Sequence, residues 1–249
     1  MLDRRGILNP EEAERHFRLT RAKPSEDLAH LIDRHWSVEW NLDEPFTQLI
    51  VTHPSVNLVF EGEGTIHGVP TRIFARELVG SGHVIATKLH PGAFHAFHAV
   101  PAHTLTDRVL PLSDVFTDFR PTSFEEIEDG LRAHGWADDP RVSEVVELHA
   151  LLLAEPEIQR VEQLARTAGY SERTLQRLFR EYVGVKPKWV IERIRLHEAA
   201  ERMAGGDSDW PAMALDLGYF DQAHFIKAFK AVVGRSPADY ALSASGSVG

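Results

Sequence analysis

Residues 161–187 read VEQLARTAGYSERTLQRLFREYVGVKP, and residues 210–237 read WPAMALDLGYFDQAHFIKAFKAVVGRSP. The two stretches repeat one pattern, and most of the repeated positions are glycine, proline or apolar. They are Ala165, Gly169, Leu175, Phe179, Gly184 and Pro187, which recur 49 or 50 residues later as Ala214, Gly218, Phe225, Phe229, Gly234 and Pro237. Each copy predicts a short helix, a glycine turn, a second amphipathic helix and a Gly-x-x-Pro stop. One helical hairpin would show similar stripes, but two copies with matching stops favour paired helix-turn-helix units at about 161–182 and 210–233.

In the first unit, Gly169 is expected to end the first helix with a left-handed residue, and Ser171 to cap the second helix. The outward face of the second helix is cationic and polar. Arginine and glutamine form bidentate hydrogen bonds with guanine and adenine edges, and the N-terminal turns of a recognition helix reach those edges. The predicted DNA-binding side chains of this unit are Arg173, Gln176, Arg177 and Arg180.

The second unit has a weaker outward face. Asp221 is placed to cap its second helix, and the outward positions that follow include two apolar residues, which can offer only apolar contact, for instance to a thymine methyl group. These positions are Gln222, Ala223, Ile226 and Lys227. Between the units, Trp189 to Met203 is predicted to form one helix of ~22 Å that directs the two recognition helices toward successive major grooves.

Residues 145–242 resemble the AraC/XylS family of transcriptional regulators. The most specific part is LGYFDQAHF at residues 217–225, followed by Phe229, GRSP at residues 234–237, and Tyr240. The resemblance implies a DNA-binding domain in which both recognition helices contact the duplex. In this chain it implies contacts from Arg173, Gln176 and Arg177 in the first unit, and from Gln222, Ala223, Ile226 and Lys227 in the second.

The N-terminal part shows a different pattern. From Phe46 to Phe97, β-type runs of three to five residues alternate with glycine and proline, which predicts a small β-sandwich or β-barrel. Before it, Leu28, Leu31, Ile32 and Trp36 have helical spacing. The predicted fold class is α+β, with flanking helices around the β domain and an all-α C-terminal domain. The predicted divisions are a sensor and dimerisation domain at 1–140, a connecting helix and linker at 141–157, and a DNA-binding domain at 158–249.

Residues 91–94 (PGAF) and 105–112 (LTDRVLPL) resemble, more weakly, the cupin-like N-terminal domains that precede some AraC-type modules. The resemblance implies binding of a small effector, dimerisation, or both. A small barrel can enclose an apolar cavity, but the same aromatic residues can equally fill a core. The candidate effector-binding residues are Phe60, Phe74, Phe94 and Phe97.

Charge and composition limit the function classes. The net charge of −10 divides into −12 for residues 1–157 and +2 for residues 158–249, so the acidic charge lies outside the predicted DNA-binding domain. The 249 residues include no cysteine, which removes disulfides, thiolate metal sites and the nucleophile that an alkyl-accepting DNA-repair methyltransferase needs. No apolar run approaches the ~20 residues that span a bilayer, and Met1–Arg5 lacks the apolar core of a signal peptide, so we expect no membrane partner and a cytoplasmic location.

Twelve of the 14 histidines precede residue 150, and four of them crowd one stretch, at His90, His95, His98 and His103. Strand alternation there would send Phe94 and Ala96 to one side and His95 and Phe97 to the other. The His-x-His pair of metal-binding cupins is absent, so we predict no metal, no cofactor and no catalytic residue. The alternative is a cupin-type metal-dependent enzyme with an accessory helical domain. The expected partners are double-stranded DNA, a small-molecule effector, a second copy in a homodimer, and RNA polymerase.

Overall fold

The computed structural model describes residues 10–245 of the chain. A short helix, α1 (Pro10–His16), opens the described part. Eight strands follow, and every pairing between them is antiparallel. They are β1 (Phe17–Ala22), β2 (Ile32–Asn41), β3 (Phe46–Ile50), β4 (Asn57–Phe60), β5 (Thr65–His67), β6 (Phe74–Leu78), β7 (Ser81–Leu89) and β8 (Val109–Pro111).

The strands form two sheets that face each other. Six of them make one sheet in the order β1-β2-β7-β4-β5-β8, and β3 pairs with β6 in a second sheet. Side chains from both sheets line a common cavity. Because side chains alternate along a strand, Val59 faces this cavity while its neighbour Phe60 packs into the core on the opposite side of the large sheet. The predicted small β-sandwich and the α+β class are confirmed.

The main core of this domain lies between the large sheet and two helices, α2 (Phe94–Phe97) and α3 (Phe124–His134). Ser123 caps α3, because its hydroxyl accepts a hydrogen bond from the amide of Glu126 at 3.2 Å. Fully buried side chains in this core include Leu58, Ile66 and Ile127.

Three local predictions for the N-terminal domain were wrong. Leu28 to Leu31 makes only one helical turn, with the amide of Leu31 bonded to the carbonyl of Leu28, and β2 begins immediately after it at Ile32. Among the β-type runs predicted between Phe46 and Phe97, the one at residues 71–74 is not a strand, because β6 starts only at Phe74. Residues 94–97 form a helix rather than an alternating strand, since Gly92 at a φ of 89° turns the chain so that the amide of His95 bonds to its carbonyl.

The C-terminal part of the described chain is helical throughout. One π-helical turn, at Phe179–Val183, follows directly on the second helix of the first unit. The helices are α4 (Pro140–Ala154), α5 (Val161–Ala168), α6 (Glu172–Leu178), α7 (Pro187–Ala204), α8 (Trp210–Asp216), α9 (Gln222–Val233) and α10 (Pro237–Ser245).

Helix α4 connects the two parts of the molecule. Its residue Val142 belongs to the core of the β domain, whereas Val145, Leu148 and Leu152 pack with the first helix-turn-helix unit. The connecting helix and linker predicted at residues 141–157 therefore overlap with α4, a helix that packs into both cores. The last helix, α10, ends at Ser245, and residues 246–249 lie outside the described part.

Candidate nucleic-acid interface and effector cavity

The first helix-turn-helix unit consists of α5 and α6. Gly169 ends α5 at a φ of 72°, the left-handed value that the glycine prediction required. Ser171 then caps α6 by accepting a hydrogen bond from the amide of Thr174 at 3.1 Å. Leu175 and Leu178 are buried against α5 and α4, so the opposite face of α6 is directed outward.

The outward face of α6 brings together three of the four predicted side chains. Arg173, Gln176 and Arg177 are all exposed. Arg180 differs, because it lies in the π-helical turn and its Nη2 donates to Nε2 of His103 in the β domain at 3.2 Å. This contact depends on domain packing, and no sequence signal indicates it. Among the predicted residues of the first unit, Arg180 is therefore the one engaged with the N-terminal domain.

The second unit consists of α8 and α9. Asp221 caps α9 as predicted, since its Oδ1 accepts a hydrogen bond from the amide of His224 at 2.7 Å. Ala223 and Lys227 are exposed, whereas Gln222 and Ile226 are half-buried. Ile226 packs against the core of its own unit, which leaves only part of its side chain for a ligand.

The exposed residue that sequence reasoning missed is Phe220, which directly precedes the cap of α9. Its side chain is 87% exposed. The only available signal was the change of the repeat offset from 49 to 50 residues in the middle of the unit.

A cavity of about 430 Å³ lies between the two sheets of the β domain. Its volume falls in the range of ligand sites for small molecules. The wall is largely apolar, with residues such as Trp36, Ile50 and Phe74, and it also includes Arg34 and Lys88. Both cations pair with Asp33, whose pKa they lower to about 2 in spite of its burial.

The four predicted effector-binding phenylalanines do not share this cavity. Phe74 lines it, whereas Phe60, Phe94 and Phe97 lie in the main core on the other side of the large sheet. The strand period separates Phe60 from the cavity, and the helical conformation of residues 94–97 carries the other two away from it. Trp36, Ile50 and Val59 are cavity residues that the sequence did not single out.

The cavity wall is also the surface that contacts α7. Thr52, His53 and Pro70 line the cavity, and the hydroxyl of Thr52 donates to the carbonyl of Pro70 at 2.8 Å. On the other side of this wall, the ring of His197 stacks on His53 with 4.1 Å between centroids. Nε2 of His197 donates to the carbonyl of Thr52 at 3.2 Å. The cavity wall is therefore in direct contact with α7, the helix between the two units.

A buried guanidinium takes part in the same contact. Arg193 on α7 is 2% exposed, and its Nη2 donates to the carbonyl of Thr71 at 3.0 Å. Its guanidinium also lies over the ring of Trp189, 4.4 Å from the centroid. Burial lowers the pKa of Arg193 to about 10.

The histidines of the β domain have core and interface roles. His35 is 1% exposed, with Nε2 bonded to Glu128 at 3.1 Å and Nδ1 to the hydroxyl of Thr87 at 2.8 Å. Burial lowers the pKa of His35, against the opposing effect of Glu128. His95 instead lies between Asp139, at 3.3 Å, and the ring of Tyr182. Over residues 10–245 no three His, Asp or Glu side chains group closely enough to hold a metal ion.

Two family models match the chain. A helix-turn-helix domain matches residues 164–243, and a domain of unknown function, DUF6597, matches residues 20–111. In the described part of the chain, no helix is long and apolar enough to cross a membrane.

Curated relatives match about a third of the chain. An uncharacterised HTH-type transcriptional regulator of Haemophilus influenzae is 35% identical over 85 residues, which are 34% of this chain and 28% of the relative. The HTH-type transcriptional activator AarP of Providencia stuartii is 36% identical over 86 residues, 34% of this chain and 64% of AarP. A putative AraC-like transcription regulator of Streptomyces lividans is 35% identical over 80 residues, 32% of this chain and 26% of the relative.

The chain thus spans less than two thirds of the length of these relatives. Residues 164–243 are thus similar to the helix-turn-helix domains of AraC-like transcription regulators, and residues 20–111 are similar to the domain of unknown function DUF6597.

Proposed function

We propose that the chain is a sequence-specific DNA-binding transcriptional regulator of the AraC type. The observation that carries this proposal is the exposed row of Arg173, Gln176 and Arg177 on α6, a helix with an intact cap and a buried opposite face. These side chains have the donors that read guanine and adenine in the major groove. DNA in the bacterial cytoplasm is the corresponding partner, and a homodimer that contacts RNA polymerase is the corresponding assembly.

Selection of bound fragments from random duplex DNA by the purified full-length chain tests the proposal. We expect enrichment of one motif, with binding that weakens as salt increases because phosphate contacts release counterions. Binding without any sequence preference would contradict it. Stoichiometric iron, zinc or manganese in the purified protein would instead favour the alternative of a metal-dependent enzyme.

We further propose that the cavity of the β domain holds a small, largely apolar effector. The supporting observations are its volume of about 430 Å³ and a wall that includes Trp36, Ile50 and Phe74. Thr52, His53 and Pro70 belong to the same wall, and they adjoin the contacts with α7. An effector that displaces this wall would therefore change the position of α7, and with it the relative placement of the two recognition helices.

Replacing His197 tests this connection without knowledge of the effector. In His197→Leu the hydrogen bond to Thr52 and the ring stacking on His53 are lost, so we expect amide hydrogen exchange in residues 50–53 and 70–73 to accelerate by about tenfold. Hydrogen exchange followed by mass spectrometry measures the rate. The matched control is Glu198→Ala, at the next and exposed position of α7. Equal exchange rates in wild type and His197→Leu would contradict the connection.

A further inference from the structure

The turn of the second unit contains one residue more than the turn of the first. Gly169 and Gly218 both have a φ of 72°. After them, the amides of Tyr170 and Tyr219 donate to the carbonyls of Ala165 and Ala214, at 2.9 and 2.8 Å. Up to these tyrosines the two units correspond at an offset of 49 residues.

The correspondence resumes at the helix caps, with an offset of 50 residues. Ser171 accepts from the amide of Thr174 at 3.1 Å, and Asp221 accepts from the amide of His224 at 2.7 Å. In the first unit the cap follows the tyrosine directly, whereas in the second unit Phe220 stands between them. Phe220 is therefore the inserted residue.

Packing does not account for a phenylalanine at this position. Tyr219 fills the core, where it is 5% exposed, contacts the ring of Phe225 at 5.3 Å, and lies under the guanidinium of Arg195 at 3.9 Å. Phe220, at 87%, has the largest exposed fraction of the exposed large hydrophobic residues in the described part of the chain. Such exposure leaves the apolar area of the ring available for a ligand.

We propose that Phe220 contacts DNA and recognises the 5-methyl group of a thymine at the edge of the site bound by α9. This inference rests on the proposed DNA-binding function. Phe220 adjoins the N-terminus of α9, and this end of a recognition helix approaches base edges. Ala223 next to it is exposed and apolar, so the local surface suits methyl groups rather than hydrogen-bond donors.

The charges of the second unit fit the same partner. Lys227 and Lys230 on α9 and Arg235 after it are exposed, which provides cations that can bind DNA phosphates. The second unit would then recognise sequence mainly through apolar contacts, and the first unit mainly through hydrogen bonds.

The test removes one methyl group at a time from the DNA. Each thymine of the selected motif is replaced singly by deoxyuridine, and affinity is measured by fluorescence anisotropy with the full chain. We expect one replacement in the half bound by α9 to weaken wild-type binding about fourfold, the factor that burial of one methyl group gives. Phe220→Ser should weaken binding to the thymine duplex by a similar factor and should show no further loss with uracil.

Leu215→Ser is the matched control, because Leu215 on α8 is also apolar and 66% exposed. Leu215→Ser should still lose affinity about fourfold when the thymine is replaced by deoxyuridine, as the wild type does. If Phe220→Ser loses as much affinity as the wild type when the thymine is replaced by deoxyuridine, the proposed role of Phe220 is wrong. Unchanged DNA affinity in Phe220→Ser together with reduced transcription would also overturn it, because that result would assign the residue to a contact with a protein. Failure of the wild type to select any motif would overturn the DNA-binding function itself.

Discussion

Removal of both arginines from the outward face of α6 is expected to weaken binding to the selected DNA motif by about thirtyfold or more. Arg173 and Arg177 are both exposed on α6. Each bidentate contact with a base contributes about 1–3 kcal/mol of discrimination, so the double variant Arg173→Ala/Arg177→Ala should lose about 2–6 kcal/mol. Mobility-shift titration at fixed salt concentration measures this loss.

The control separates base recognition from a simple loss of positive charge. Arg166 is also exposed in the first unit, but it lies on α5 rather than on the recognition helix. Arg166→Ala should weaken binding to all sequences by a similar and small factor, with a salt slope reduced by about one at most. If the double variant still selects the wild-type motif with wild-type affinity, the assignment of α6 as the main recognition helix is wrong.

Arg180→Ala should have a smaller effect on DNA affinity than either single replacement on α6. Its guanidinium is already bonded to His103 in the β domain. Among the outward residues that the helical period predicts, Arg180 therefore differs from the others, because it contacts the β domain. Periodicity places a residue on a face, but it does not indicate which other domain that face meets.

The helix-turn-helix units were predictable because their signals are local. A glycine that ends α5, a serine that caps α6 and an aspartate that caps α9 each act within four residues of the chain. The insertion of Phe220 is also visible in the sequence, as a change of the repeat offset from 49 to 50 residues. The sequence does not identify the inserted residue, nor does it indicate that its ring is exposed.

The β domain was less predictable because its structure depends on distant pairings. Strand β2 pairs with β7, from Ile32 opposite Leu89 to Asn41 opposite Ser81. No local pattern specifies such a register. Register also decides which face a side chain occupies, which is why Phe74 lines the cavity and Phe60 does not.

Acidification is expected to destabilise the folded chain between pH 7 and pH 5 through histidines that are buried in their neutral form. His149 on α4 faces the cleft between the β domain and α7, and burial lowers its pKa to about 4, with a further lowering by Lys88 against the opposing effect of Asp33. Its pKa in the unfolded chain is about 6.5. The unfolded state therefore binds more protons in this window, so its contribution to stability is complete above pH 6.5 and decreases toward pH 4.

The expected loss from His149 alone at pH 5 is about 1–2 kcal/mol of unfolding free energy, reduced from the full value because the side chain is only half-buried. Burial also lowers the pKa of His35, His67 and His90, so their contributions have the same sign. Urea unfolding at the two pH values measures the total. His149→Leu should reduce the difference between pH 7 and pH 5 by about 1–2 kcal/mol, whereas Leu215→Ser, at an exposed position of α8 without a titratable group, should leave it unchanged. An identical pH dependence in wild type and His149→Leu would show that His149 is protonated as readily in the folded chain as in the unfolded one.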